Sequence, residues 1–459
     1  MLTRLLDIFG DLRVIFEKLL VPMPKATDIG SLSLLAEKNA EAYPSNVALI
    51  SDEETETWAG LNQRANCVAQ ILRSQGVHKG DTVALLMENR SEFVVQVLAL
   101  NKLGAISALI NTNLTKQSLV HCINVVESKK IIFGEELLDS VDEIKANLLL
   151  ESPNDFIFVP DKKTMDCPNW AFLSESKKQK EDTVEPVNSS GVTIGSTAFY
   201  IFTSGTTGLP KAANVSHRRF LLAAGMSAKY LLRIKGKDRM YNCLPLYHGT
   251  GLMIGLGAAV TVGASSVLKR KLSVSQFWGD IRKTNSTCFV YIGEFIRYLM
   301  ATEPTNMDKD NGIKSVVGNG LRPDIWAEFK ERFNIDRIGE FYGASEGNGG
   351  FANVFNKDCT VGLPTAPSKI ISYDVEEDQI IRRPDGFCEE MPEGSAGLLV
   401  IEVTEKSQFE GYTNAEATEK KIIRDVFKKG DSYFNSGDLM KTVNVGFGYF
   451  QPHFQFIDR

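Results

Sequence analysis

The chain has 459 residues, of which 43% are hydrophobic and 24% charged, so it contains enough apolar side chains for several packed cores. A formal net charge of −6 excludes a surface basic enough to bind a nucleic-acid backbone, so we expect no nucleic-acid partner. The seven cysteines form no C-x-x-C pair and the five histidines no H-x-x-x-H pair, which argues against a disulfide framework and a dedicated zinc site.

Residues 1–24 are predicted to form an amphipathic helix, because leucine and phenylalanine recur there at helical spacing among six charged residues. The charges argue against a signal peptide and a membrane-spanning helix. The apolar stripe favours docking on the chain's own large domain; contact with a membrane surface is the alternative, weakened by the balance of acidic and basic side chains. We therefore expect a cytoplasmic protein, or one held peripherally on the cytoplasmic face of a membrane.

Short β-branched runs alternate with helix-period segments over about residues 25–175, which predicts a first unit built from parallel βαβ elements. The strands expected in this unit are VALI (47–50), TVALLM (82–87), KIIF (130–133) and FIFV (156–159). The polar stretch at residues 174–198 is then expected to be a surface connection.

A second α/β unit is predicted over about residues 198–360, followed by a small antiparallel, barrel-like β-region over residues 361–459. The strands of the second unit are expected at AFYIFT, CLPLYH, STCFVYIGE, KSVVGNG and EFYGASEG. The uncharged run Gly251–Leu268 fits a buried helix that leads into a strand better than a membrane span, because four glycines interrupt it. The fold class expected is therefore α/β, with two βαβ-type subdomains and a small β-rich subdomain.

The most informative motif is YIFTSGTTGLPK, residues 200–211, which follows a predicted strand. Its glycines and hydroxyl residues offer backbone N–H groups and side-chain donors that can surround phosphate oxygens, and Lys211 adds a cation. The loop differs from the G-x-x-x-x-G-K-[ST] phosphate loop, because Pro210 precedes the lysine and Ala212 follows it. The sequence therefore predicts a different kind of phosphate-binding loop.

The run SGTTGLPK resembles the signature of the adenylate-forming (AMP-binding) superfamily of acyl-CoA synthetases, firefly luciferase and peptide-synthetase adenylation domains. Further matches follow in the superfamily's order: CLPLYH, GNGLR, EFYGASEG, SGDL and FIDR. The stretches NTNLTKQSLVHCI, YIGEFIRYL, GNGLRPDIW and DVFKKGDSYFNSGDL resemble more narrowly the fatty-acid-transport-protein group of long- and very-long-chain acyl-CoA synthetases. The resemblance covers the chain from about residue 30 onward and implies the large N-terminal domain of the adenylate-forming fold.

The resemblance also implies a role for each motif residue. The implied catalytic residues are Lys211, Ser345 and Glu346, with Glu346 holding the Mg²⁺ that accompanies ATP. The implied ATP- and AMP-binding residues are Thr203, Ser204, Gly205, Thr206, Thr207, Gly208, Asn319, Gly320, Leu321, Tyr342, Gly343, Ala344, Asp438 and Arg459. The implied acyl-substrate residues are Tyr247, His248, Tyr291 and Gly293.

The reaction implied is activation of a long-chain fatty acid by ATP to an acyl adenylate, followed by transfer to coenzyme A. Relatives continue past the final Asp-Arg motif into a small C-terminal domain with a catalytic lysine, which this sequence does not include, so we expect both steps to be impaired. Two alternatives remain: a CoA ligase for another bulky carboxylic acid, and a non-catalytic protein that binds fatty acid or nucleotide and aids uptake. The sequence does not indicate an oligomeric state.

Overall fold

The computed structural model describes residues 24–162, 165–174, 187–203, 208–444 and 453–457. The predicted helix at residues 1–24 lies outside this range except for its last position, as do Ser204, Gly205, Thr206, Thr207 and Arg459. The α-helices are α1 (Leu32–Ala42), α2 (Trp58–Ser74), α3 (Ser91–Leu103), α4 (Lys116–Asn124), α5 (Leu138–Ile144), α6 (His217–Met226), α7 (Gly257–Val262), α8 (Val274–Thr284), α9 (Gly293–Met300), α10 (Pro323–Phe333) and α11 (Ala415–Glu419).

The strands of the first half are β1 (Val47–Ile50), β2 (Thr55–Thr57), β3 (Thr82–Leu86), β4 (Ile106–Leu109), β5 (Lys130–Gly134), β6 (Phe156–Val159), β7 (Phe172–Leu173), β8 (Thr197–Thr203), β9 (Lys211–Ser216), β10 (Arg239–Asn242), β11 (Ser265–Leu268) and β12 (Cys288–Ile292). Those that follow are β13 (Ser315–Asn319), β14 (Arg337–Gly343), β15 (Gly350–Ala352), β16 (Leu363–Pro364), β17 (Ser368–Ile371), β18 (Tyr373–Asp374), β19 (Gln379–Ile380), β20 (Gly397–Glu402), β21 (Ile422–Arg424), β22 (Ser432–Val443) and β23 (His453–Phe456). Short 3₁₀ turns span Glu135–Leu137, Lys145–Asn147 and Pro153–Asp155, and π-helical turns span Ser227–Leu231 and Thr250–Leu256.

Local sequence signals explain where several helices begin and end. The hydroxyl of Ser31 accepts a hydrogen bond from the Leu34 N–H at 3.0 Å and caps α1, and Thr57 caps α2 in the same way. Helix α3 ends at Gly104, whose φ of 67° places it in the left-handed region that glycine tolerates. Helix α10 begins with Pro323, where a missing N–H costs nothing.

The chain forms two compact units, which we call the N-terminal unit (Pro24–Ala228 and Ile234–Val290) and the C-terminal unit (Lys229–Arg233 and Tyr291–Arg459). The N-terminal unit contains a sheet with strand order β7-β6-β5-β3-β4-β8-β9, parallel except for the β8–β9 pair. A second group of strands in this unit is ordered β12-β10-β11-β1-β2, parallel except for the β1–β2 pair. Every residue of α3 is buried, and its apolar residues, among them Phe93, Val97 and Leu100, belong to the hydrophobic core of this unit.

In the C-terminal unit, β13 and β14 run parallel, and β15 and β16 continue antiparallel from β14. A separate antiparallel sheet has the order β17-β20-β22-β21, with β23 also paired to β22. Its apolar side chains include Leu399, Phe434 and Met440 in one buried cluster. The predicted fold class is confirmed: parallel α/β units are accompanied by a small antiparallel sheet, while the predicted subdomain limits stay predictions.

Two predictions about individual segments were wrong. The expected strand CLPLYH is a loop, and the strand there, β10, ends just before it at Asn242; Pro245 has no N–H to donate to a neighbouring strand. Residues 187 and 189, expected in a surface connection, are buried. The buried Lys102 ammonium explains this, because it donates to the Val187 carbonyl at 3.0 Å and to Glu37, whose carboxylate also accepts from Ser189.

The run Gly251–Leu268 forms the π-helical turn, α7 and β11, and it is largely buried, which confirms the prediction of a core segment. Within the described ranges, no helix combines the length and apolar character needed to cross a membrane.

Candidate functional site

The described residues of the motif, 200–203 and 208–211, belong to the N-terminal unit. Thr203, the last residue of β8, pairs antiparallel with Lys211, the first residue of β9. Gly208 has a φ of 143°, a conformation that side-chain-bearing residues rarely adopt. The ring nitrogen Nε2 of His121 lies 3.0 Å from the Pro210 carbonyl oxygen, next to Lys211 in the chain. Lys211 is thus the first residue of β9, and its phosphate-binding role stays a prediction.

Tyr247 and His248 lie in the loop that follows β10, also in the N-terminal unit. The Tyr247 side chain is buried, and its hydroxyl accepts a hydrogen bond from the Asn113 amide at 3.4 Å. Burial raises the pKa of Tyr247. The exposed His248 ring lies with its centroid 4.6 Å from that of Tyr247.

Sequence reasoning missed the residue that shapes this loop, Asn89. Its amide nitrogen donates to the Leu244 carbonyl at 2.7 Å and to the Lys269 carbonyl at 3.2 Å, and its oxygen accepts from the Leu246 N–H at 2.9 Å. The Asn89 side chain is buried, so these bonds satisfy amide atoms that water does not reach. Asn89 comes from a segment far away in sequence, and the only signal was a polar residue three positions after the end of the buried strand β3.

In the C-terminal unit, the loop after β13 is held by the carboxyl group of Glu340 on β14. Its Oε1 accepts from the N–H groups of Gly320 (2.5 Å) and Leu321 (3.0 Å), and its Oε2 accepts from the Tyr291 hydroxyl. Burial raises the pKa of Glu340 to about 8, and burial beside this carboxyl group raises the pKa of Tyr291. Sequence reasoning missed Glu340, although a carboxylate between the apolar residues Ile338 and Phe341 of β14 was a usable signal.

Glycines allow the segments 291–293 and 318–320 to approach each other closely. A Cβ atom added to Gly293 would lie 1.7 Å from the Gly320 carbonyl oxygen, and one added to Gly318 would lie 2.3 Å from the Tyr291 carbonyl oxygen. Gly320 itself has a φ of 85°, in the left-handed region. Of the sequence-predicted residues, Gly293, Tyr291, Gly320 and Leu321 are therefore brought together; the neighbouring Asn319 is half-buried.

Tyr342 and Asp438 come together from β14 and β22. The Tyr342 hydroxyl donates to Asp438 Oδ2 at 2.5 Å, and burial together with this carboxylate raises the pKa of Tyr342. Its ring also packs against Phe456, with centroids 6.5 Å apart and planes 28° apart. Tyr342 and Asp438 are 96 positions apart in sequence, so only the fold explains their contact.

A β-bulge in β22 presents Asp438. Asn435 pairs with Val400 and Leu439 with Leu398, so residues 436–438 lie opposite a single residue, Leu399. The Ser436 hydroxyl donates to the Leu399 carbonyl at 2.8 Å and accepts from the Asp438 N–H at 3.0 Å. Gly437, with a φ of 77°, provides the turn.

Glu346 and Ser345 lie in the loop between β14 and β15. Glu346 is buried, and its Oε1 accepts a hydrogen bond from the Tyr412 hydroxyl at 2.8 Å, a partner that sequence reasoning missed. Its Oε2 accepts no hydrogen bond from the described residues and is the oxygen suited to a cation. Ser345 and Ala344 are half-buried, and Gly343 is exposed. The Asn348 amide anchors the loop through the Glu402 carbonyl at 2.7 Å.

No three His, Cys, Asp or Glu side chains within the described ranges are grouped as a metal site. A carboxylate with one oxygen held by a tyrosine and the other available fits a cation that arrives with its own ligands, as Mg²⁺ does with phosphates. Glu346 is therefore compatible with the predicted Mg-ATP contact, which stays a prediction.

The comparison with protein families matches residues 36–412 to the family described as AMP-binding enzyme. Among curated proteins, the chain is 41% identical over 421 residues to long-chain fatty acid transport protein 2 of Rattus norvegicus, covering 90% of this chain and 67% of that protein. It is 35% identical over 429 residues to a medium/long-chain-fatty-acid–CoA ligase of Mycobacterium tuberculosis, covering 94% and 69%. The chain spans about two thirds of the length of these relatives.

Solved structures show the same fold. A complex of the anthranilate CoA ligase AuaEII with anthranoyl-AMP superposes with a TM-score of 0.74 at 20% identity, covering 95% of this chain and 78% of that one. A long-chain-fatty-acid–CoA ligase of Archaeoglobus fulgidus gives a TM-score of 0.73 at 19% identity, covering 95% and 86%.

Proposed function

Because the chain belongs to the family of AMP-binding enzymes, we propose that it is a long-chain or very-long-chain fatty acid–CoA ligase that consumes ATP. A carboxylate oxygen of the fatty acid attacks the α-phosphorus of ATP, the bond to the β-phosphate oxygen breaks, and pyrophosphate leaves. The sulfur of coenzyme A then attacks the acyl carbon, AMP leaves, and the thiol proton passes to solvent. The names of the fatty-acid transport and ligase relatives support this choice of acid.

The contact between Tyr342 and Asp438 carries the proposal. An aromatic ring that can stack on a purine lies beside a carboxylate that can accept from ribose hydroxyls, and a dedicated bulge places the carboxylate there. A ring and a carboxylate so arranged suit a nucleoside. We assign adenine to Tyr342 and the loop Asn319–Leu321, and ribose to Asp438, with Arg459 as a further ribose contact.

The first step needs control of charge more than proton transfer. A fatty acid with an unperturbed pKa near ~4 is already ionised at neutral pH, so no general base is required. We assign Lys211 and the loop Thr203–Gly208 to the phosphate oxygens, Ser345 to the α-phosphate, and Glu346 to the cation. Mg²⁺ bound with ATP would neutralise charge on the phosphates.

Tyr247, His248, Tyr291 and Gly293 are assigned to the acyl substrate. The largely buried phenol ring of Tyr247 lies against the exposed ring of His248, and a hydrocarbon chain could pack on this aromatic pair. We expect the protein to work in the cytoplasm or on the cytoplasmic face of a membrane, where ATP and coenzyme A are available.

The test is exchange of labelled pyrophosphate into ATP by the 459-residue chain, with palmitate present or absent. Exchange should require palmitate and fall about 10²- to 10³-fold in Lys211→Ala, because a preorganised cation is lost. Lys271→Ala is the matched control, since that side chain is 79% exposed. Exchange without the acid, or equal exchange in both lysine variants, would contradict the proposal.

The names of the transport-protein relatives favour one alternative, a non-catalytic protein that holds fatty acid or nucleotide and aids uptake. Saturable ATP binding that weakens in Asp438→Ala, combined with no exchange, would support this alternative over the ligase. Competition of palmitate with benzoate and with a bile acid in the exchange assay would separate a fatty-acid ligase from a ligase for another bulky acid.

A further inference from the structure

Glu340 is a buried carboxyl group shared between two segments that the proposed function assigns to different substrates. Its Oε1 holds the N–H groups of Gly320 and Leu321, assigned to adenine, at 2.5 and 3.0 Å. Its Oε2 accepts from the hydroxyl of Tyr291, assigned to the acyl substrate. Only 2% of the Glu340 surface is exposed, so these groups replace water as its hydrogen-bond partners.

The backbones of the same two segments also touch directly. Gly293 leaves no room for a Cβ against the Gly320 carbonyl, and Gly318 leaves none against the Tyr291 carbonyl. A displacement of residues 291–293 therefore cannot be absorbed by side-chain movement at these contacts, because no side chains lie between the backbones. The segment that leads to the acyl substrate and the loop that faces adenine are packed as one piece.

We propose that Glu340 is a positioning residue that transmits the state of Tyr291 to the adenine-facing loop, so that the acyl and nucleotide subsites are energetically coupled. This inference rests on the proposed function. A change at the Tyr291 hydroxyl alters the hydrogen bond to Oε2, and the same carboxyl group then holds Gly320 and Leu321 less firmly through Oε1. Neither Tyr291 nor Glu340 needs to touch the nucleotide for this effect.

The inference is tested by a double-mutant cycle read out as the Kd of AMP, measured by isothermal titration calorimetry. Tyr291→Phe, which removes one oxygen atom, is expected to weaken AMP binding about two- to tenfold, the usual effect of one hydrogen bond. Glu340→Leu is expected to weaken it further. In the Glu340→Leu background, Tyr291→Phe should have no additional effect, because the group that connects the hydroxyl to the loop is gone.

Two variants separate positioning from a general loss of structure. Tyr298→Phe changes a tyrosine that is 47% exposed in the same unit and should leave the Kd unchanged. Glu340→Gln keeps an oxygen for the Gly320 and Leu321 N–H groups and should restore most of the affinity lost in Glu340→Leu. The KM for ATP should rise in Tyr291→Phe while kcat changes less.

The possible failures are distinguishable. If the native chain does not bind AMP, the proposed function fails and this inference fails with it. If the native chain binds AMP but Tyr291→Phe leaves the Kd unchanged, or if the effects of the two substitutions simply add, only the coupling is overturned. Should Glu340→Leu not fold, the Tyr291→Phe measurement alone decides.

Discussion

Replacing Gly293 with alanine adds one methyl group at the closest backbone contact of the candidate site. The new Cβ would lie 1.7 Å from the Gly320 carbonyl oxygen and 2.3 Å from its carbonyl carbon. An ordinary contact begins at 3.4 Å, so the two backbones must separate by about 1.7 Å. Because Gly320 is part of the loop held by Glu340, this separation should also disturb the hydrogen bonds to Oε1.

The expected cost follows from these contacts. Forcing one extra methyl group into a packed region typically costs about 1–3 kcal/mol. Weakening the two N–H bonds to Glu340 adds about 0.5–1.5 kcal/mol for each bond lost. We therefore expect Gly293→Ala to lower the free energy of unfolding by about 3 kcal/mol, and to weaken AMP binding, since the displaced loop is the one assigned to adenine.

Urea unfolding and calorimetric titration with AMP measure the two effects. The matched control is Gly279→Ala in α8, where an added Cβ meets no atom within 4 Å. That substitution should stabilise the protein by up to about 1 kcal/mol through helix propensity and leave AMP binding unchanged. Equal stability of the two alanine variants would refute the reasoning, as would a Gly293→Ala protein that binds AMP with native affinity.

Three further outcomes are expected. Asn89→Ala should lower the free energy of unfolding by about 3 kcal/mol, because it leaves buried backbone groups unpaired. It should also raise the KM for fatty acid, because the loop that carries His248 loses its support, and it should leave the Kd of AMP unchanged. Tyr412→Phe should raise the Mg²⁺ concentration for half-maximal exchange about tenfold, because Glu346 loses the donor that orients it; an unchanged Mg²⁺ requirement would contradict this. The raised pKa of Glu340 means that the folded protein keeps a proton that the unfolded chain releases. In urea titrations, the free energy of unfolding of the native protein minus that of Glu340→Gln should therefore decline from about pH 5 to pH 8 and level off above pH 8.

The strands inside the parallel sheets were the part of the fold that the sequence predicted best. The runs VALI and FIFV coincide with β1 and β6, because short β-branched or aromatic segments between helix-period stretches have few other ways to be buried. The loop after β10 was mistaken for a strand, since its apolar composition is that of a strand. Its backbone groups are instead paired with asparagine side chains, Asn89 and Asn242, and one of these lies more than a hundred residues away.

The motifs of the sequence pointed to the residues of the candidate site, but not to the residues that hold them through hydrogen bonds. Tyr342, Glu346 and Asp438 stand in recognisable stretches, whereas their neighbours Glu340 and Tyr412 are defined by contacts between distant segments. The sequence can suggest that a carboxyl group within an apolar strand is buried, but it does not show which groups will form hydrogen bonds with it.

The bulge in β22 contains two residues more than the opposite strand, and that number matters for how the sheet tolerates it. Side chains alternate between the faces of a strand, so an insertion of one residue would reverse every side chain beyond it, whereas an insertion of two leaves the alternation in phase. Phe434 before the bulge and Met440 after it accordingly lie in the same buried cluster. The two extra residues therefore let the chain bulge outward at residues 436–438 while the core-facing side chains on either side keep the same alternation.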